Sequence, residues 1–412
     1  MNAPKLRFSE FNDEWKSFAL GDITELSDGT HFTPNYKSSG IPFWSVETIT
    51  TNAPVKYISE EEYKKINKRC NPQKNDILIT RISSGINSLG VPKLVEWDTP
   101  FSIYVSVGLI KSSTLFDSRF LVEYVKTAIY KREFLSKSLL SASPKKINMN
   151  NLATTLVKLP SLQEQKKLGE FFSLLEKKIQ LQQEKIDLLK EQKKGYMQKI
   201  FNQELRFKDE NGKKYSDWTK CNFNDAFDII TDYVANGSFE SIRNNVSYSE
   251  KEDFAYVVRL QDASNNWQGP FVYTNEHAYE FLKKTKLYPG DIIMSNVGSV
   301  GKFFKIPNLD KPMTLGPNAL LLRSITNNSE FLYQLLNSDV FLKSLTKKIT
   351  PGVQSKINKT DLKRIDISIP CIQEQTKIAN FLSELDKKIN IENKRLRMLT
   401  DQKQAFMQQM FV

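Results

Sequence analysis

The chain has 412 residues, 40% of them hydrophobic and 26% charged, a globular composition with room for two domains rather than one core. No run reaches the roughly 18 apolar residues of a membrane helix, no apolar stretch follows Met1-Asn2-Ala3-Pro4-Lys5 as a secretory signal would, and a cytoplasmic location is expected. Three scattered cysteines, Cys70, Cys221 and Cys371, form neither a disulfide framework nor a metal knuckle, while the net charge of +12 points to a polyanion, because Lys and Arg on phosphates release counterions.

In chain order, Leu6-Arg-Phe and Trp15 open a region of short β-type runs, Pro42 to Val46, Asp76 to Thr80 and Ser102 to Ile110, punctuated by Gly, Pro, Asn and Ser. Phe120-Leu121 opens a helical stretch. From Gln163 to Phe201 there is no Pro, and Ser161-x-x-Glu164 directly after Pro160 reads as a capping box. Leu168, Phe172, Leu175, Ile179, Ile186 and Leu189 recur in the 4-3 spacing of a coiled coil. The cycle then restarts. Leu205-Arg-Phe and Trp218 precede the runs Phe254 to Leu260, Asp291 to Ser295 and Ala319 to Arg323, and Phe331-Leu332 opens the matching helical stretch. The second tail repeats the seam at Ile378, Leu382, Leu385, Ile389, Leu396 and Leu399.

The restart is an internal duplication. Leu159-Pro-Ser-Leu-Gln-Glu-Gln-Lys-Lys-Leu matches Ile369-Pro-Cys-Ile-Gln-Glu-Gln-Thr-Lys-Ile at an offset of 210 residues, and the match runs without a gap to Phe201 and Phe411. Upstream it reaches Lys146-Ile-Asn and Lys356-Ile-Asn. The expected division is a first globular part at 1–158, a long helix at 159–204, a second globular part at 205–368 and a second helix at 369–412. The expected class is α+β, with two pseudo-two-fold-related modules separated by a pair of long antiparallel coiled-coil helices. A helix of 39 residues would be about 58 Å long. Both seams break at Gln182 and Glu392, and again at Lys193 and Lys403. The midpoints of an antiparallel pair fall near Gln182 and Glu392, so these two residues are expected to meet and set the register.

Polar loops supply the candidate contacts to a nucleic acid, since small polar, Arg, Gln and Asn side chains can read base edges. In the first module these are Thr30, His31, Thr33, Tyr36 and Lys37, then Arg81, Ser83 and Ser84. In the second they are Asn236, Ser238, Arg243, Arg259, Gln261, Asn296 and Ser299. Lys145, Lys146 and Lys356 close the modules at recurrent positions, which suits a shared phosphate or structural role. Basic clusters at Lys64-Lys65 with Lys68-Arg69, at Lys283-Lys284 with Lys286, and at Lys347-Lys348 suit phosphates or a solvated face equally. Catalytic signatures are lacking: two histidines in different modules make no zinc site, and there is no phosphate-binding loop or nucleophile elbow. Glu164-Gln165-Lys166 has a nuclease-like Glu-x-Lys spacing but sits at a helix start. No metal and no catalytic residue are expected.

The Leu-Arg-Phe…Trp opening, the Lys-Ile-Asn approach, the Pro-x-x-x-Gln-Glu-Gln helix start and the Met-Gln-x-x-Phe tail, all duplicated, resemble the specificity subunit of type I restriction–modification enzymes. Asp28-Gly-Thr-His-x-Thr-Pro34 and Gly40-Ile-Pro-Phe-Trp44 are similar to a target-recognition domain of that family. Cys371 departs from the pattern where the first copy has Ser161. The resemblance implies that each module reads one half of a bipartite, asymmetric site on double-stranded DNA while the helices set the spacer. It also implies that two methylation subunits dock along the helices and methylate adenine. S-adenosylmethionine, ATP and Mg2+ would belong to those methylation subunits and to restriction subunits, with no cofactor in this chain. A coiled-coil adaptor for other proteins, and a nuclease with an unrecognised site, are the readings left to compete.

Overall fold

The computed structural model describes residues 3–51, 53–297, 299–349 and 356–412. The chain divides into two compact units, Met1–Glu184 with Lys394–Val412, and Lys185–Asn393. Each is an α+β module carrying part of both long helices, Leu162–Phe201 and Ile372–Met410.

The first unit contains β1 (Lys16–Ala19), β2 (Leu26–Asp28), β3 (Ile41–Trp44), β4 (Lys56–Ile58), β5 (Ile77–Thr80), β6 (Ile82–Ser83), β7 (Pro92–Leu94), β8 (Ser102–Ile103), β9 (Val107–Ile110), β10 (Lys145–Lys146) and β11 (Leu156–Leu159). The second contains β12 (Thr219–Asn222), β13 (Ile229–Asp232), β14 (Ala255–Val258), β15 (Val272–Thr274), β16 (Lys286–Leu287), β17 (Ile292–Ser295), β18 (Phe303–Lys305), β19 (Met313–Leu315), β20 (Ala319–Arg323) and β21 (Asp366–Ile369). The run expected from Ser102 to Ile110 is two strands, because the chain turns between β8 and β9.

The two units share their main-sheet topology despite their divergent sequences, and the second adds one strand to its side sheet. The main sheet runs β2-β9-β5-β7 in the first and β13-β20-β17-β18 in the second. A side sheet runs β4-β3-β8 in one and β15-β14-β19-β16 in the other, with β3–β8 and β14–β19 parallel. The pairs β1–β11 and β12–β21 bind the start of each module to the strand entering its helix. The register also matches: Leu26 and Ile77 both face Ile110, as Ile230 and Ile292 both face Leu322. The main-sheet strands β5, β9, β17 and most of β20 are buried throughout, as strands covered on both faces must be.

The duplicated motifs prove to be clamps between the helix ends and the globular parts. Arg7 donates through Nε and Nη2 to the two oxygens of Glu164 at 2.8 and 2.7 Å. Arg206 does the same to Glu374, at 2.8 Å for both bonds. Gln165 accepts from the Asp117 amide at 3.0 Å and Gln375 from the Asn328 amide at 2.9 Å; each donates to the carbonyl of the Pro before its helix. The Glu164 side chain therefore completes no capping box. Only the Ser161 half forms, accepting from the Glu164 amide at 3.4 Å, because the Arg7 guanidinium claims the carboxylate. The tail phenylalanines finish the cores: Phe411 lies against Trp15 and Phe120, and Phe201 against Trp218 and Phe331.

Within each unit the helices run antiparallel. In the first, Phe171 meets Phe406 and Phe172 meets Phe411; in the second, Tyr196 meets Phe381. The seam residues Leu168, Phe172, Ile186, Ile378, Leu382, Leu385 and Ile389 are buried, and Leu175, Ile179, Leu189, Leu396 and Leu399 are half-buried. Three of the four seam breaks, Lys193, Lys403 and Glu392, form ion pairs. Lys193 donates to both oxygens of Asp386 at 2.7 Å, Lys403 contacts Glu176 and Glu123, and Glu392 accepts from Lys185 at 2.8 Å. Gln182 is half-buried and belongs to the first unit, whereas Glu392 belongs to the second.

Candidate nucleic-acid interface

In the first module, four loops meet at one end of the main sheet. The Gly29 and Thr30 amides bond the Val107 and Ile103 carbonyls, and Val105 returns a bond to Thr30. Gly29 is required there, since a Cβ would lie 2.0 Å from the Ile103 oxygen. The Arg81 and Ile82 amides both bond the Ser106 carbonyl, and the Ile147 amide bonds the Arg81 carbonyl. Strand β10 then sets Lys145 opposite Ser83 and Lys146 opposite Ile82. Thr30, His31, Arg81, Ser83, Lys145 and Lys146, widely spaced in the chain, thus share one neighbourhood.

At its centre is Asp28, 4% exposed. Its Oδ1 accepts from Arg69 Nη2 at 2.6 Å and its Oδ2 from Arg81 Nη1 at 3.2 Å. His31 Nε2 lies 3.1 Å from Asp28 Oδ2 and 3.1 Å from Arg69 Nη2. Arg81 also donates to the Val105 carbonyl at 2.7 Å and is buried. Burial holds its guanidinium below the ordinary arginine range, Asp28 opposes that shift, and the Arg69 charge adds to it. The outward members are His31 and Arg69, with side chains 59% and 57% exposed. Thr30 and Ser83 are buried, whereas Thr33, Tyr36, Lys37 and Ser84 are exposed. The Tyr36 ring carries the Lys56 ammonium 4.6 Å from its centroid.

The second module has the same frame with other side chains. Asp232 takes the register position of Asp28, Asn296 that of Arg81, and the Ile357 amide bonds the Asn296 carbonyl as Ile147 does that of Arg81. Lys356 is exposed and bridges Val297. Asp232 pairs with Lys359 at 2.8 Å. Among the described residues, Asp232 Oδ1 and Asn296 Oδ1 are buried without a hydrogen-bond partner. Gly298, in the adjoining loop, lies outside the described residues.

Several sequence candidates make hydrogen bonds or ion pairs within the fold while keeping part of their surface exposed. Asn236 donates to Tyr233 and Thr285 and accepts from the Lys284 amide, which spends its amide on the fold. Ser238 caps the helix Phe239–Asn245 by accepting from the Ser241 amide. Arg259 pairs with Asp262 at 2.6 Å and donates to the Pro270 carbonyl. Arg243, Gln261 and Ser299 are exposed. Asp28 is not among the sequence candidates, and Arg69 enters only within a basic cluster that suits phosphates or a solvated face equally. The signals for them were faint, an Asp opening a polar loop and the last member of a basic cluster 41 residues away. Among the described residues, no group of His, Cys, Asp and Glu could hold a metal ion, and no helix is long and apolar enough to cross a membrane.

Comparison with known proteins agrees with this architecture. The profile of the type I restriction modification DNA specificity domain matches residues 12–191 and again residues 215–401. The type I restriction enzyme MjaVIII specificity subunit of Methanocaldococcus jannaschii is 23% identical over 409 residues, covering 96% of this chain and 91% of that protein. The putative type I restriction enzyme MjaX specificity subunit of the same organism is 32% identical over 182 residues, but that match spans only 43% of its length and 42% of this chain. Among solved structures, the S subunit of a type I restriction–modification system from M. genitalium superposes with a TM-score of 0.58 at 15% identity, covering 100% of this chain and 99% of that one. A chain from a study of complex assembly and conformational transition of the type I system gives 0.54 at 14% identity, covering 97% and 98%.

Proposed function

The chain belongs to the type I restriction modification DNA specificity family, and from that premise we propose that each module reads one half of a bipartite, asymmetric site on double-stranded DNA. The chain is a specificity subunit, whose part in its complex is recognition rather than catalysis. Its partners are DNA and the other subunits of the complex. In the finer reading, two methylation subunits dock along the long helices and transfer methyl from S-adenosylmethionine to adenine in each half-site. Restriction subunits with ATP and Mg2+ complete the assembly, and the complex works in the cytoplasm.

One observation carries this reading. Two modules of matched sheet order and register, each clamped to a helix by the same Arg–Glu and Gln contacts, bring different side chains to the same end of the main sheet. A duplicated frame with divergent loops suits two unlike half-sites. Sequencing methylated adenines in cells that express the chain with its methylation partner tests it. A two-part motif with a fixed gap is expected. A motif with one contiguous part, or methylation indifferent to the chain, would refute it.

A further inference from the structure

Two guanidiniums and an imidazole converge on the one buried carboxylate of Asp28. A buried Asp needs one cationic partner, and Arg81, itself buried and tied to the Val105 carbonyl, meets that need. Arg69 adds a second positive charge beside the first, and its repulsion is felt at Arg81. Folding does not demand this arrangement. The second module keeps the same sheet order with Asn296 in place of Arg81 and a Lys on its Asp. Nor is Arg69 used up by it. Among the described residues only its Nη2 is engaged, through one hydrogen on Asp28 Oδ1. In the tautomer in which His31 Nε2–H donates to Asp28 Oδ2, the second Nη2 hydrogen stays free together with the neighbouring Nε or Nη1. That leaves one intact edge of a half-exposed, anchored guanidinium in the fork geometry that suits a bidentate contact.

From this geometry we infer that Arg69, held in place by Asp28 with His31 beside it, binds a pair of acceptor atoms on the DNA of the half-site read by the first module. Guanine O6 with N7 and two phosphate oxygens both present that chemistry. Asp28 is a positioning residue, since a carboxylate buried at 4% exposure fixes the guanidinium without itself facing the ligand. The ligand supplies the acceptor atoms, charged on a phosphate and neutral on a base edge, that the free donors of the second guanidinium lack. This inference rests on the DNA-reading function proposed above.

The test uses the full chain in complex with its methylation subunits, and compares wild type, Arg69→Ala, Arg69→Lys and Asp28→Asn. Three readouts are taken: the methylated motif in cells, binding to a duplex bearing the wild-type motif over a range of salt, and the thermal midpoint. Arg69→Ala is expected to weaken binding about tenfold, at an unchanged midpoint. If the acceptors are a base edge, one position of one half-site becomes degenerate and Arg69→Lys does not restore it. If they are a phosphate, the motif is kept, the slope of log affinity against log salt falls by about one, and Arg69→Lys restores binding. Asp28→Asn should reproduce the Arg69→Ala pattern; if that variant fails to fold, Arg69→Ala decides alone. Binding within twofold of wild type together with an unchanged motif overturns the inference. A change confined to the half-site read by the second module overturns it equally. Should the wild-type chain itself direct no two-part motif, the broader function fails instead, whatever Arg69 does.

Discussion

Replacing Arg206 with Ala removes one side of a fork that closes on a carboxylate with no exposed surface. Glu374 would keep a buried charge without its cation, and the Ser216 carbonyl would lose the Nη2 bond of 2.6 Å. Breaking a fully buried pair from one side costs about 3–5 kcal/mol. Arg206 retains 21% of its side-chain surface, so water meets part of that loss, and the expectation is about 2–3 kcal/mol. Urea unfolding of the whole chain, followed through the buried Trp218 that Arg206 overlies, measures it. The loss should appear as a lower midpoint for the second unit, with the first unit's transition unmoved. Arg7→Ala should do the converse at similar size, because the Arg7–Glu164 fork has the same geometry. Replacing both partners, Arg206→Met with Glu374→Leu, should recover most of the loss, since the cost lies in the stranded charge. An Arg206→Ala loss below about 1 kcal/mol, the level of an exposed pair, or a double variant no better than the single, would show that these clamps do not secure the helix ends.

Three further expectations follow from the same structure. Gly29→Ala places a methyl group 2.0 Å from the Ile103 oxygen, so the loop must shift; the methylated motif should lose its first-module half and keep the other, as sequencing would show. Burial pushes the Glu176 carboxyl up, but the Lys403 hydrogen bond and charge outweigh it, so its pKa is lower folded than the ordinary 4.5. Its contribution to stability is therefore present above about pH 4.5 and lost as pH falls through the lowered value. Unfolding free energies against pH should show a shallower acid-side decline in Glu176→Gln than in wild type. Deleting one heptad from each long helix shortens it by about 10 Å, or about three base pairs. The unread gap in the methylated motif should shrink accordingly with both half-sites unchanged, and an unchanged gap would exclude the helices as the ruler.

How much of this was legible in the sequence differs element by element. The long helices were, because their 4-3 pattern and lack of Pro are local properties, and the duplication was, because an ungapped match needs no structure to be seen. Ser161-x-x-Glu164 misled because a capping box and a long-range ion pair share that spelling; the partner, Arg7, lies 157 residues away. Arg81 and Asn236 read as open loop residues, yet Arg81 Nη1 is engaged by Asp28 and Asn236 Nδ2 by Thr285, 53 and 49 residues distant. Arg69 was hidden among lysines in a basic cluster that reads equally as a solvated face.

The sequence by itself determined the number of modules, the helix seams and the family, since periodicity and repetition are written along the chain. Only the tertiary structure decided which polar side chains are committed and which remain available. A charged group's role depends on the carboxylate it meets and the water it keeps, and both are set by strand order and register. Asp28 and Asp232 occupy equivalent places in the two main sheets and hold different cations, and that difference becomes visible only when distant loops are brought together.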